Sequence, residues 1–317
     1  MEKQTIKTDL VIIGAGPAGI SAGIYAARAG LSPVILDDGI VGGQVSQSSV
    51  VENYPGFAEI SGKELAEKFR EHLSALGTEV DEFDSIESVE FSGDIKRIIT
   101  ESRIYEPKAV IIATGASPKP LPLENADRFA GRGIHYCALC DGSAYKGKTV
   151  GVVGGGSAAV EEALYLSNIA ERVIMIRRKG SFHAEKTLVE RAEAASNIEI
   201  RYNTDLVEIG GSDRLEYAVV LNMSDSGAEE ETERIPLSAI FVYIGTSPRT
   251  ELFRGSIHLD ADGYIPTDED MRTSVSGVFA AGDVRVKRYR QIVTAVSDGA
   301  IAALNIEKYI STLEDRG

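Results

Sequence analysis

The chain is poor in cysteine, in positive charge and in long hydrophobic runs. Its 317 residues include two cysteines, Cys137 and Cys140. A buried structural disulfide is out of keeping with an opening, Met1-Glu2-Lys3-Gln4, that is polar and runs straight into a strand rather than a signal peptide. A zinc site needs about four ligands, and only His135 stands near the two cysteines in sequence, so no metal is expected. Lys and Arg number 33 against 48 Asp and Glu, a formal net charge of −15. Nucleic-acid binding relies on neutralising phosphates, so that balance argues against such a partner and is mostly a statement about solubility. The acidic run from Ser224 to Glu231 is expected in a solvated hairpin or loop. Apolar stretches such as Val110-Ile111-Ile112-Ala113 fall far short of the roughly 20 residues that span a bilayer. A soluble, cytoplasmic protein without a membrane partner is the expectation.

What is present is a dithiol between two glycine loops. With 43% hydrophobic and 26% charged residues, the chain has the composition of a globular protein and the length of two domains. Asp9-Leu10-Val11-Ile12-Ile13 reads as a strand that ends in Gly14-Ala15-Gly16-Pro17-Ala18-Gly19, and the stretch from Ile20 to Gly30 reads as a helix. In such a unit the glycines let the backbone approach a pyrophosphate, and the helix N-terminus stabilises its charge. A second apolar run, Pro33 to Leu36, ends at Asp37, which suits an acid that binds a ribose hydroxyl. Cys137-Ala138-Leu139-Cys140 follows later in the chain. A C-x-x-C beside a βαβ pattern holds two sulfurs within bonding reach and typically lowers the attacking thiol's pKa. An electron relay through two nucleotides and a dithiol is the leading reading.

The strand-turn-helix unit recurs about 140 residues on. Thr149 to Val153 leads into Gly154-Gly155-Gly156-Ser157-Ala158-Ala159, and the stretch from Glu161 to Ile169 reads as the helix. The partner strand, Val173 to Ile176, ends in Arg177-Arg178 instead of an acid. An acid there would repel a 2′-phosphate and a guanidinium pairs with it, which favours NADPH over NADH.

Gly42-Gly43-Gln44, Glu52-Asn53-Tyr54-Pro55-Gly56, Ala113-Thr114-Gly115, Gly277 to Asp283 and Arg290-Gln291-Ile292 together resemble the FAD-binding set of the low-molecular-weight thioredoxin reductases. The resemblance covers nearly the whole chain. It implies FAD in the first site, with Asp283 following Gly282 to hold the ribityl chain, and Asn53 and Gln44 lining the flavin. It also implies that Arg290, Gln291 and Ile292 contact the isoalloxazine region. By the same resemblance Cys140 faces the flavin, Cys137 attacks the substrate, and Asp141 is the acid/base carboxylate. On spacing alone Asp141 reads equally as a helix N-cap. In the family the two domains rotate so that dithiol and nicotinamide take turns at the flavin.

The chain departs from the family pattern at three places. Members usually carry His-Arg-Arg and then a third Arg, whereas Ile176-Arg177-Arg178 is followed by what looks like a loop one residue longer, with His183 near the third position. Ala158 stands where a Ser or Thr is usual, although Ser157 beside it could supply a hydroxyl. Leu139 replaces the usual Thr between the cysteines. Arg132 matches a basic position near the thioredoxin docking surface, and equally a surface arginine. The resemblance implies a thioredoxin-disulfide reductase using FAD and NADPH, with a thioredoxin or thioredoxin-like partner, as a homodimer. A related flavin disulfide reductase using NADH or a ferredoxin-like donor, or another disulfide substrate, is the alternative.

The FAD motifs lie at both ends of the chain and the second glycine loop lies in the middle, so the first domain is expected to be discontinuous. Pro118, Pro120 and Pro122 mark one crossing and Thr246-Ser247-Pro248-Arg249 the other. The expected domains are an FAD-binding one over 1–117 and 248–317, and an inserted NADPH-binding one over 118–247. The fold class is α/β, two Rossmann-like dinucleotide-binding domains, each a parallel sheet with an added antiparallel β element.

Overall fold

Strand Gln4–Ile13 is the seam of the first unit. Leu10, Val11, Ile12 and Ile13 are all buried, because a parallel sheet is covered on both faces and every side chain of its central strand meets core. The strand pairs in parallel with Pro33–Leu36 on one side and Arg103–Ile112 on the other, with Leu10 opposite both Pro33 and Ala109. The sheet runs Val80–Asp81, Pro33–Leu36, Gln4–Ile13, Arg103–Ile112, Arg97–Thr100, Ile86–Glu90, and Val278–Ala280 adds in parallel to Arg103–Ile112. Its last two strands join antiparallel. One face is covered by helices Pro17–Arg28 and Ile292–Glu314, whose Ile20, Ala22, Ala26, Ala302 and Ile306 share a core cluster. The other face buries Phe91, Phe253 and Val284.

These observations come from a computed structural model that describes residues 3–39, 41–48, 51, 53–82, 84–93, 95–223 and 229–314, without the side chains of Gln47, Leu139, Cys140, Glu229, Glu230 and Glu314. Glu52, most of the acidic run beginning at Ser224, and the side chains of Leu139 and Cys140 therefore lie outside the described residues.

The chain divides into two compact units, Met1–Ser117 with Ser247–Gly317, and Pro118–Thr246. The second unit has a parallel sheet in the order Ile198–Arg201, Arg172–Ile176, Thr149–Gly154, Ala239–Tyr243, Ile134–His135. A separate three-stranded antiparallel sheet is formed by Thr204–Gly210, Tyr217–Met223 and Glu229–Pro236. Helix Ser157–Ser167 packs Ala159, Val160, Ala163 and Leu166 onto the parallel sheet.

Both nucleotide-loop helices begin earlier than sequence periodicity suggests, at Pro17 and Ser157 instead of Ile20 and Glu161. In the first, Pro at the opening position has no N–H to lose and a φ already suited to the helix. Gly16 and Gly156, in extended conformation, are the residues that precede the first turns.

Candidate functional site

The first glycine loop is closed by its own acid. Gly14 N–H donates to the Leu36 carbonyl (2.8 Å), and Gly42 N–H donates to the Ala15 carbonyl (2.8 Å), bringing the Gly42-Gly43 turn against the loop. Gly14 has φ +111°, and a Cβ there would lie 2.4 Å from the Ala113 oxygen, so no other residue fits. Asp37 accepts from Ala15 N–H through one carboxylate oxygen and from Gly39 N–H (2.7 Å) through the other. A carboxylate offers about four lone pairs, so two remain for a ribose hydroxyl.

Around this loop the remaining residues of the first unit are tied to one another. Gln44 Nε2 donates to the Ala116 carbonyl, and Asn53 Nδ2 to Gln291 Oε1 at 3.1 Å. Thr114 Oγ1 donates to the Arg249 carbonyl (2.7 Å) and Arg249 N–H to the Gly115 carbonyl (3.0 Å). Ile292 opens the long C-terminal helix directly after Gln291. On that helix the buried carboxylate of Asp298 receives Gly282 N–H (3.1 Å), Arg285 (2.9 Å) and Lys287 (2.7 Å). This anchor fixes the short turn Gly282–Val284 that presents Asp283. Burial pushes the Asp283 carboxyl above its ordinary range; the Asp298 charge adds to this, and Lys287 and Arg290 oppose it.

Two buried polar atoms of the first unit, Asp283 Oδ1 and Arg290 Nε, have no hydrogen-bond partner among the described residues. Arg290 otherwise lies over the Tyr264 ring, 4.4 Å from its centroid. An orphaned buried acceptor or donor costs about 1–3 kcal/mol, and a ligand with both hydroxyl donors and acceptors removes that cost. Together with the glycine loop, these atoms fit the polyhydroxylated chain and ring edge of FAD.

The dithiol lies in the second unit, on a single helical turn, Ala138–Asp141, that follows strand Ile134–His135. Cys137 is disulfide-bonded, and the sequence holds one other cysteine, Cys140. Asp141 N–H donates to the Cys137 carbonyl at 3.2 Å. The Asp141 carboxylate makes no capping bond to the turn Gly142–Tyr145 that it precedes. It sits 3.1 Å from His135 Nδ1 instead, so Asp141 holds the N-cap position of that turn without capping it through its side chain. His135 Nε2 lies 2.7 Å from the Tyr145 hydroxyl, and its ring stacks on Phe241. Nothing in the sequence marks the role of His135, whose two nitrogens face Asp141 and Tyr145.

Two further residues on this turn's underside had no signal in the sequence. Ala138 N–H, inside the C-x-x-C, donates to the Tyr243 hydroxyl at 2.8 Å. Tyr243 is in turn hydrogen-bonded to Glu162 on helix Ser157–Ser167. Burial, with the neighbouring Glu161 charge, pushes the Glu162 carboxyl up to about 7 against the opposing Tyr243 bond. Burial pushes the Tyr243 phenol up as well, with the Glu162 charge as the next cause.

The second glycine loop is covered by Arg177. A Cβ on Gly155 would lie 2.2 Å from the Arg177 guanidinium carbon, so this glycine admits the side chain across the loop. Arg177 Nε donates to the Ser181 carbonyl (2.9 Å), and His183 N–H donates to the Gly155 carbonyl (2.7 Å). His183 is thus beside the loop through its backbone, with an exposed side chain, as is Arg178. Ser157 Oγ accepts from Glu185 N–H at 3.4 Å, Gly154 closes the strand, and Ala158 is in the first helical turn. Burial and the Arg178 charge lower the Arg177 pKa, yet a guanidinium stays charged at any physiological pH. A strand-end cation against a helix N-terminus fits an anionic, phosphate-bearing nucleotide such as NADPH.

Two glycine-loop nucleotide folds and a C-x-x-C disulfide on one chain define a two-domain dithiol oxidoreductase. The sequence profile of the pyridine nucleotide-disulphide oxidoreductases matches residues 8–299, and the chain belongs to that family, in its low-molecular-weight thioredoxin reductase branch. It is 46% identical over 308 residues to a 34.2 kDa protein in the rubredoxin operon of Clostridium pasteurianum, covering 97% of this chain and 99% of that one. It is 42% identical over 308 residues to a thioredoxin reductase of Peptoclostridium litorale, with 96% and 98% covered. The crystal structure of Lactococcus lactis thioredoxin reductase superposes with a TM-score of 0.88 at 38% identity, covering 96% of this chain and 99% of that one.

Proposed function

We propose that the protein is a thioredoxin-disulfide reductase that passes electrons from NADPH through FAD and the Cys137–Cys140 dithiol to the disulfide of a thioredoxin. The observation that carries this reading is the disulfide-bonded Cys137 followed by an Asp141–His135 pair, in a chain with two glycine loops. FAD, when bound, accepts reducing equivalents from NADPH and supplies two electrons to a disulfide. Gly14, Gly16, Pro17, Ala18 and Gly19 cradle its pyrophosphate, Asp37 takes a ribose hydroxyl, and Gly43, Gln44, Asn53, Thr114 and Gly115 line it. Gly282, Asp283, Arg290, Gln291 and Ile292 complete that site. Gly154, Gly156, Ser157 and Ala158 receive the second nucleotide, with Arg177, Arg178 and His183 at its 2′-phosphate.

In the reduced enzyme the Cys137 thiolate attacks one sulfur of the substrate disulfide, forming a mixed disulfide and releasing the other sulfur as a thiolate. Cys140 then attacks the Cys137 sulfur, which restores the internal disulfide and frees the second substrate thiolate. Asp141, held by His135, exchanges protons with the departing thiolates and the attacking thiols. Residues 1–117 with 248–317 bind FAD, and 118–247 bind NADPH and carry the dithiol. The enzyme works as a cytoplasmic homodimer.

The test is turnover of purified, yellow enzyme with NADPH and thioredoxin beside the Cys137→Ser variant. Thioredoxin reduction is lost in the variant, while bleaching of the flavin by NADPH persists. Full thioredoxin turnover by Cys137→Ser would exclude the relay, and flavin that only dithionite bleaches would exclude NADPH as donor.

A further inference from the structure

The bond from Ala138 N–H to the Tyr243 hydroxyl joins the backbone between the two cysteines to a buried carboxyl on another element. A phenol hydroxyl has one proton. Accepting from Ala138, Tyr243 has that proton to donate to Glu162, so the three groups form one directed chain from helix Ser157–Ser167 to the C-x-x-C turn. The second Glu162 oxygen, Oε2, is buried and has no partner among the described residues. A carboxylate serving only to anchor a tyrosine would be expected to have its other oxygen satisfied or solvated. Glu162 thus stands with one oxygen committed to the turn and the other uncompensated.

We propose that Glu162 is a positioning residue for the dithiol, which acts through Tyr243 and the Ala138 N–H and couples the thiol chemistry of Cys137 to its own protonation. The inference rests on the dithiol reading above and deepens it at the same site. Neutral Glu162 adds no negative charge behind the turn beyond that of Asp141, and the Cys137 thiolate forms more readily. Ionised Glu162 strengthens the Tyr243 bond and sets a carboxylate behind the turn, which opposes a second anion there. The carboxyl's position at about 7 places this change near neutrality.

Other charged groups around the chain keep the effect assignable. Glu161, on the same helix beside Glu185, acts on Glu162 as a like charge. Asp141, on the C-x-x-C turn, acts on Tyr243 and is itself paired with His135. On the neighbouring helix Lys186–Ala194, Lys186 pairs with Glu190, and Glu193 accepts from Tyr202.

The experiment measures alkylation of Cys137 by iodoacetamide in FAD-loaded enzyme reduced with dithiothreitol, followed by peptide mass spectrometry from about pH 5 to about pH 9. The wild type is expected to show two inflections, that of the thiol and one near the Glu162 titration. In Glu162→Gln the latter disappears and the rate at about pH 8 rises at least about threefold, since no carboxylate opposes the thiolate. In Tyr243→Phe the latter inflection moves to higher pH, because the phenol bond that holds Glu162 down is gone. A single inflection in the wild type, or a wild-type profile in either variant, overturns the proposal. Should a variant fail to hold FAD, carboxyl NMR of wild-type enzyme labelled in glutamate decides: one glutamate titrating near neutrality must shift when the disulfide is reduced, and its absence overturns the proposal. Dithiothreitol and iodoacetamide replace NADPH and thioredoxin, so the outcome is independent of whether either of those is a substrate.

Discussion

Asp283 and Glu162 are carboxyl groups that burial pushes upward, and each has an oxygen without a partner among the described residues. They differ in what relieves them. Asp283 stands beside Lys287 and Arg290, and a bound ribityl hydroxyl supplies the missing donor. Asp283→Ala is therefore expected to weaken FAD retention about tenfold or more, the value of one hydrogen bond to a charged acceptor. Unfolding of the FAD-free variant should not be destabilised, because the orphaned group is gone. Equilibrium dialysis and urea unfolding check the two halves. Among the described residues no cation acts on Glu162, so its neutral form is the one favoured on folding. Its raised pKa means that its stabilising contribution is complete below the ordinary value of 4.5 and is lost as pH rises through about 7. Glu162→Gln should accordingly gain about 2 kcal/mol over wild type at about pH 8 and nothing at about pH 5, allowing for partial solvent access. Urea midpoints at the two pH values measure this.

The strand Arg172–Ile176, the loop after it and the helix Ser157–Ser167 act together at the second nucleotide site. The loop is tied to the glycine turn by His183 N–H on the Gly155 carbonyl, which returns Arg177 across Gly155. The element thus makes one close cation, Arg177, and leaves Arg178 exposed. Replacing both arginines by glutamine is expected to raise KM for NADPH by about one to two decades per arginine, at about 1.5–3 kcal/mol per charge-assisted bond, with little change for NADH. Salt should erode the NADPH preference in wild type, because the exposed arginine is screened. Equal losses for the two nucleotides in steady-state kinetics would contradict a 2′-phosphate site there.

At the scale of the whole molecule, a discontinuous first unit encloses a continuous second one in sequence, and the two crossings, Ala116–Pro118 and Thr246–Pro248, pair as a two-stranded ribbon. No described helix is long and apolar enough to cross a membrane. The family branch leads us to expect a homodimer. Sedimentation equilibrium at micromolar concentration should give twice the chain mass, and an active species at the single-chain mass would contradict it.

The sequence alone determined the fold class and the presence of two glycine-loop units with a dithiol. Each rests on residues adjacent in the chain: an apolar run such as Leu10–Ile13, the glycines that follow it, and Cys137 with Cys140 three residues on. Such local patterns dictate backbone conformation directly, which is why the strands and loops were legible and the helix starts at Pro17 and Ser157 were missed only by one turn. Tertiary structure decided the rest. The partners of Asp141, Ala138 and Gly282 are His135, Tyr243 and Asp298. Tyr243 is 105 positions from the amide it receives, and nothing in its own apolar strand marks it. That bond exists because Ala239–Tyr243 lies in parallel register between Thr149–Gly154 and Ile134–His135, so the strand's C-terminal end comes up beside the turn that follows His135. The burial that raises Glu162 is likewise a product of packing between elements, and packing is written in no local stretch of residues.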